Sequence, residues 1–149
     1  MKLKFRYPVK CQNNHKAFWY CEVKDFGTIK NHGVPREQNC SCSKFNYGQG
    51  WDKCGHEQLF MNHTDRNEIE IYHGDIIDIH QTVNGCNLFV VVWTGIQWKA
   101  KYYFNNEIQH DYEYDFKELI ELEAELKAPY EKTIEVVGNA LYEITKKGE

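Results

Sequence analysis

The amino-acid sequence predicts a mainly β protein with one α-helix. Three observations carry this expectation. Apolar and polar residues alternate over several short runs, the pattern of half-buried strands. Gly74, Gly85 and Gly95 interrupt these runs about every ten residues. Helical periodicity is confined to one segment, 115–128.

The elements follow in order. "KLKFRYPV" alternates Leu3, Phe5 and Tyr7 against Lys4 and Arg6, which predicts a strand with the lysine and arginine outward. "KAFWYCEV" predicts its hairpin partner, with "CQNNH" as the turn. Residues 25–57 show no sustained period and hold five of the ten glycines and three of the six cysteines. They are expected to form a long surface excursion, or a segment organised by something other than an apolar core. "DRNEIEIYHG" predicts a polar turn, a short edge strand and a second turn. At Gly74-Asp75 the glycine can take positive φ and the carboxylate can accept nearby backbone N–H groups, so a strand-entry turn is expected here rather than a catalytic turn. Ile77 and Ile79 then share one strand face, and Asp78 and His80 the other. Asn84-Gly85 is a hairpin signal leading into "LFVVVW", a continuous apolar run suited to a strand covered on both sides. After Thr94-Gly95, Ile96, Trp98, Ala100, Tyr102 and Phe104 alternate with Gln97, Lys99, Lys101 and Tyr103. "NNEIQHDYEY" reads as a loop. In "DFKELIELEAELKAP", Asp115 is placed to cap a helix, with Glu118 at the capping-box position and Phe116, Leu119, Ile120, Leu122 and Leu126 as its apolar stripe. Pro129 ends it. "TIEVVG" is the last strand, with Gly138-Asn139 as its turn.

The 149 residues carry 18 Lys and Arg against 22 Asp and Glu, a formal net charge of −4. That balance argues against non-specific grip on nucleic acid or an anionic membrane, which needs clustered cations. The N-terminus lacks the apolar h-region of a signal peptide, and no apolar run approaches the ~20 residues of a membrane helix. A cytoplasmic location is expected, and with it six cysteines that are reduced thiols or metal ligands rather than disulfides.

From "LFMNHTDRNEIEIYHGDIIDI" onward the chain resembles the YopX-like proteins of phages and prophages. The matching pieces are Asp65, Asn67, Glu70 to Tyr72, Gly74 to Ile76 and Glu135 to Asn139, together with the N-terminal Lys4 to Arg6. "CSCSKF…GWDKCG" resembles a cysteine-bearing insertion of some members. The sequence departs from the pattern in lacking its "TGL", its Asn-Gly turn and its "Pro-Glu-Leu" ending. The resemblance implies a small SH3-like β-barrel or roll, a phage or prophage context in a bacterial cytoplasm, and no established catalytic activity.

Several residue groups could carry chemistry. Cys40, Cys42, Cys54 and His56 are ligand types for tetrahedral zinc, and Cys11 or His15 could replace one of them. Their Cys-x-Cys and Cys-x-His spacings are tighter than the usual knuckle, so reduced structural cysteines are the competing account. His73, Asp75, Asp78 and His80 are metal- or acid/base-capable, but alternation divides them between two strand faces. Glu118, Glu121, Glu123 and Glu125 read as a solvated helix face. No phosphate-binding loop, nucleophile elbow or His-Glu-x-x-His occurs. "WKAKYYF" interleaves rings with lysines as single-strand nucleic-acid platforms do, although core packing accounts for the same alternation.

The expectation is therefore an N-terminal region, 1–60, of β-hairpin plus Cys/Gly-rich excursion. An SH3-like barrel, 61–149, follows, with helix 115–128 packed on it. The expected role is non-enzymatic, in self-association or in binding a host or phage protein, with no membrane partner. A zinc-stabilised nucleic-acid binder is the alternative. No catalytic residue and no cofactor beyond that one zinc is assigned.

Overall fold

A computed structural model describes residues 3–11, 13–35, 50–79, 88–118 and 134–141. Eleven strands dominate them, so the protein is mainly β. The chain divides into two compact units, Met1–Phe60 and Met61–Glu149.

In the first unit, β1 (Lys4–Cys11) and β2 (Lys16–Val23) form the expected antiparallel hairpin, with Phe5 opposite Cys21 and Val9 opposite Ala17. Two further strands, β3 (Ile29–Gly33) and β4 (Trp51–Lys53), arise inside the segment read as an excursion. β3 pairs with β2, and β4 pairs with β1. The start of β5 (Gln58–Thr64) also pairs with β1. Val9, Cys11, Ala17, Val34 and Trp51 form the apolar cluster, with Tyr7 and Trp19 against it.

The outward placement of Arg6 is corrected. Leu3 is the exposed residue, and Arg6 is buried. The Arg6 Nε donates to Gln58 Oε1 at 3.0 Å, and its guanidinium lies 3.8 Å from the Phe18 ring centroid. A weakly hydrated planar cation tolerates burial when both a ring face and an acceptor receive it.

In the second unit, β5 and its neighbour β6 (Glu70–Tyr72) are joined by the 65–69 turn. A five-stranded antiparallel sheet follows in the order β10-β9-β8-β7-β11. Its strands are β7 (Asp75–Ile79), β8 (Leu88–Trp93), β9 (Trp98–Phe104), β10 (Glu107–Asp115) and β11 (Ile134–Asn139). Its core gathers Ile71, Ile77, Ile79, Phe89, Val91, Ala100, Phe116 and Ile134. Phe89, Val90 and Val91 are buried in succession, as a strand covered on both faces requires.

Two expectations about these strands change. The segment read as a loop is β10. Asn105 and Asn106, with φ of 52° and 60°, make the two-residue turn that opens it, a conformation asparagine tolerates. Asp115 ends β10 opposite Lys99, directly before the first helical residue. The chain becomes helical at 116–118, and the rest of the 115–128 helix lies outside the described residues. The expected strand over Ile96 to Phe104 is shorter: Ile96 is exposed at the turn tip, Phe104 is exposed, and only Ala100 is fully buried.

Among the described residues the sheet is also open, not a closed barrel. Closure would require β11 to pair with β10, but the outer edge of β11 is occupied. Arg66 N donates to Ile134 O at 2.8 Å, and Val136 N donates to the Asp65 carboxylate at 2.8 Å. No helix among the described residues is long and apolar enough to cross a membrane.

Candidate functional site

The polar residues of the second unit converge on two turns. In the first, Glu68 adopts φ 63° and Asp65 N donates to Ile69 O at 2.8 Å. Asp65 is fully buried. One carboxylate oxygen accepts from Asn67 N at 2.8 Å and Ile69 N at 2.9 Å. The other reaches Val136 N. Asn67 Nδ2 adds a bond to Glu135 Oε2 at 3.2 Å. An aspartate that closes its own turn thereby also ties that turn to a strand 71 residues away.

The second turn is His73-Gly74. Gly74 takes φ +92°, and a Cβ there would meet Leu141 Cδ1 at 3.0 Å and Asn139 Nδ2 at 3.2 Å. The positive φ is what calls for glycine, and the nearby Leu141 and Asn139 side chains leave little room for a Cβ. Gly74 N donates to Val91 O at 2.7 Å, and Ala140 N donates to Gly74 O at 2.8 Å. Asp75 is buried. Its Oδ2 accepts from Tyr72 N at 2.8 Å and its Oδ1 from Asn139 Nδ2 at 3.2 Å. Asn139 therefore belongs to β11 and the buried network, not to a terminal turn. Its Oδ1 accepts from Leu141 N at 3.0 Å.

His73 Nδ1 accepts from Trp93 N at 2.8 Å. Burial lowers the imidazole pKa, and the Asp75 carboxylate partly opposes that shift. A lowered folded pKa means that the native state binds fewer protons than the unfolded chain below the ordinary histidine value of ~6.5. The stabilising contribution of His73 should be present above that value and fade as pH falls through the folded pKa. Urea midpoints measured from pH 8 down to pH 5 should fall further for the wild type than for His73→Asn, whose amide oxygen can still accept from Trp93. Parallel profiles would show that His73 does not titrate against the fold.

The residues expected to bind metal fall only in part among the described residues. Cys40, Cys42 and His80 lie outside the described residues. Cys54 and His56 are exposed. Cys11 is buried, with its Sγ 3.3 Å from His15 Nδ1. Cys11 pairs with Trp51, whereas Cys54 N donates to Pro8 O at 2.9 Å. This register separates Cys11 from Cys54 by three residues along β1, ~10 Å at strand rise. Ligands of one tetrahedral zinc, each at ~2.3 Å, cannot be so far apart, so Cys11 does not complete a site with Cys54 in this arrangement. Among the described residues no group of three or more His, Cys, Asp or Glu could hold a metal ion. Glu118 is exposed, and Glu121, Glu123 and Glu125 lie outside the description.

The aromatic-basic run is a packed surface rather than a row of open cations. Lys99 bridges to Asp115 and Glu113, and Lys101 to Glu113. Trp93 and Trp98 pack together at 5.2 Å, and Phe89 meets Tyr102 and Tyr114 edge-on at 5.7 and 5.8 Å. What stands exposed is β10 itself and the residues at its turn. Phe104, Tyr112 and Tyr114 are exposed large side chains, and three residues, 110–112, bulge out between Gln109 and Glu113. The sequence reading missed this edge because it assigned the segment to a loop. No family model, curated protein or solved structure matches the chain.

Proposed function

We propose that this chain is a non-enzymatic, YopX-like phage or prophage protein of the bacterial cytoplasm. Its second unit is an open variant of an SH3-like roll, and it acts by self-association or by binding another protein. One observation carries the reading: an edge strand, β10, displays Tyr112 at 67% and Tyr114 at 50% exposure, beside Phe104 at 49%. Clustered exposed aromatics are enriched where protein surfaces associate. The family proposal draws support from the hydrogen-bond network. Asp65, Asn67, Tyr72, Gly74, Asp75, Glu135, Val136 and Asn139, all from the segments that carry the resemblance, are its members. The two buried aspartates hold backbone N–H groups, a structural task. Nucleic-acid binding is disfavoured because Lys99 and Lys101 face carboxylates, and affinity for phosphates rises with available cations.

Sedimentation across a concentration series tests the self-association reading. Mass is expected to rise above the 17.7 kDa of one chain and to return towards it when Tyr112 and Tyr114 are both changed to Ser. A constant monomer mass would overturn self-association and leave binding to a foreign protein.

A further inference from the structure

β7 and β8 pair from Asp78 opposite Leu88 to Ile76 opposite Val90. β8 then runs on to Trp93, with Val91, Val92 and Trp93 still paired with Ala100, Lys99 and Trp98 of β9. On its other side the His73-Gly74 turn continues the ladder. Gly74 N donates to Val91 O at 2.7 Å, and Trp93 N donates to His73 Nδ1 at 2.8 Å. The imidazole thus stands where a neighbouring strand would offer a carbonyl. The same turn holds the end of β11, through Ala140 N to Gly74 O at 2.8 Å.

A carbonyl accepts at any working pH, and an imidazole does not. To accept from Trp93, Nδ1 has to be unprotonated, with the ring hydrogen on Nε2. A proton taken up at Nδ1 sets two N–H donors against each other and leaves the Trp93 amide without its acceptor, a costly arrangement at a half-buried position. His73 is half-buried, so the imidazolium gains by turning out to water. The neighbouring groups do not remove this conflict. Asp75 is the charged group acting on the ring, and its carboxylate already accepts from Tyr72 N and Asn139 Nδ2. The Tyr72 hydroxyl donates to Glu70. β8 has no ionisable residue from Leu88 to Trp93, and Lys99, opposite Val92 on β9, is bound to Asp115.

We propose that His73 is an acid-sensitive pin on the β8–β9 hairpin: protonation at Nδ1 releases the Trp93 amide and frees the hairpin end, residues 93–98, while the rest of the sheet stays folded. The pinned turn excludes a proton that the released histidine binds, so acid favours release. The freed end carries Trp93 packed on Trp98 at 5.2 Å and Ile96 at 88% exposure, with no charged residue among them. Its own turn is closed by Thr94 N to Gln97 O at 3.1 Å and Gln97 N to Thr94 Oγ1 at 3.2 Å. Neither bond involves an ionisable group, so the end moves as an intact hairpin. Such local opening costs less than global unfolding, because few bonds hold the segment.

Amide hydrogen exchange of the full chain tests it, followed by NMR between about pH 8 and pH 5, the span in which histidine changes charge, and corrected for intrinsic exchange rates. In the wild type the Trp93 amide is expected to lose protection as the pH falls, while Phe89, Val90 and Val91 at the centre of β8 keep theirs. His73→Asn supplies an acceptor oxygen that does not titrate, so its Trp93 protection should stay level across the range. The ring nitrogen shifts of His73 give a second readout in the unaltered chain, which stands even where the variant fails to fold. They should titrate at the pH where Trp93 loses protection. Trp93 protection that stays constant in the wild type, or that falls equally in folded His73→Asn, would overturn the pin. A loss shared by Phe89 to Val91 would overturn it too, by showing that the whole sheet opens. So would a ring that titrates at a different pH from the Trp93 loss.

Discussion

Replacing Asp65 by Ala should lower the unfolding free energy by about 3–4 kcal/mol, the effect of removing a buried ionic acceptor that serves several donors. The carboxylate accepts from Asn67, Ile69 and Val136 backbone N–H groups. Alanine leaves all three without that acceptor, and the first two lie inside a tight turn with little room to rearrange. The third is the link that holds the turn against β11, so its loss should also loosen Arg66 N from Ile134 O. Asp65→Asn should cost less, because an amide keeps one acceptor oxygen, but its NH2 would face an N–H donor. Urea unfolding of the three proteins gives the order wild type, Asn, Ala. An alanine variant within about 0.5 kcal/mol of wild type, the range of ordinary surface changes, would show that solvent replaces the carboxylate and that the turn is not anchored through it.

The same residues mark how far the sequence could be read. Alternation located β7 because Asp75, Ile77 and Ile79 follow a strict period of two on a buried face, and it located the first hairpin although β1 buries Arg6 and Pro8 together with Val9 and Cys11. The apolar run of β8 was legible for the same reason. Alternation failed where the backbone departs from regular pleating. Asn62 takes φ 60° inside β5, and β10 carries its three-residue bulge, so neither strand shows a clean period. The Asn105-Asn106 pair was a usable turn signal for β10 that a search for glycine passed over. For Arg6, alternation with Phe5 and Tyr7 and its charge both point outward, and only the spatial arrival of Gln58 and Phe18 reverses that. At the candidate site, the local role of Asp75 in entering a strand was visible in Gly74-Asp75. The bond from Asp65 to Val136 was not visible, since nothing local to either residue encodes a partner 71 positions away.

Truncating Ile77 to Ala should be among the most damaging substitutions in the second unit, at about 3–4 kcal/mol, within the usual range for buried Ile-to-Ala changes. Ile77 is fully buried at the centre of β7. It pairs with Phe89 on one side and Val136 on the other, so the cavity would open between two strands that the sheet holds in place. Hydrogen-bonded neighbours cannot close inwards without breaking their ladders, which favours the upper part of the range. Val91 lies in the same cluster, also fully buried, but it loses fewer methyl groups on truncation. Val91→Ala should therefore cost about 2 kcal/mol. Because both residues line one core, the double variant should depart from the sum of the singles. An additive pair would place the two side chains in separate cavities. Unchanged denaturation midpoints for both single variants would contradict the register that sets Ile77 opposite Phe89. A slip of one residue would turn Ile76 and Asp78 into the core and Ile77 out to solvent.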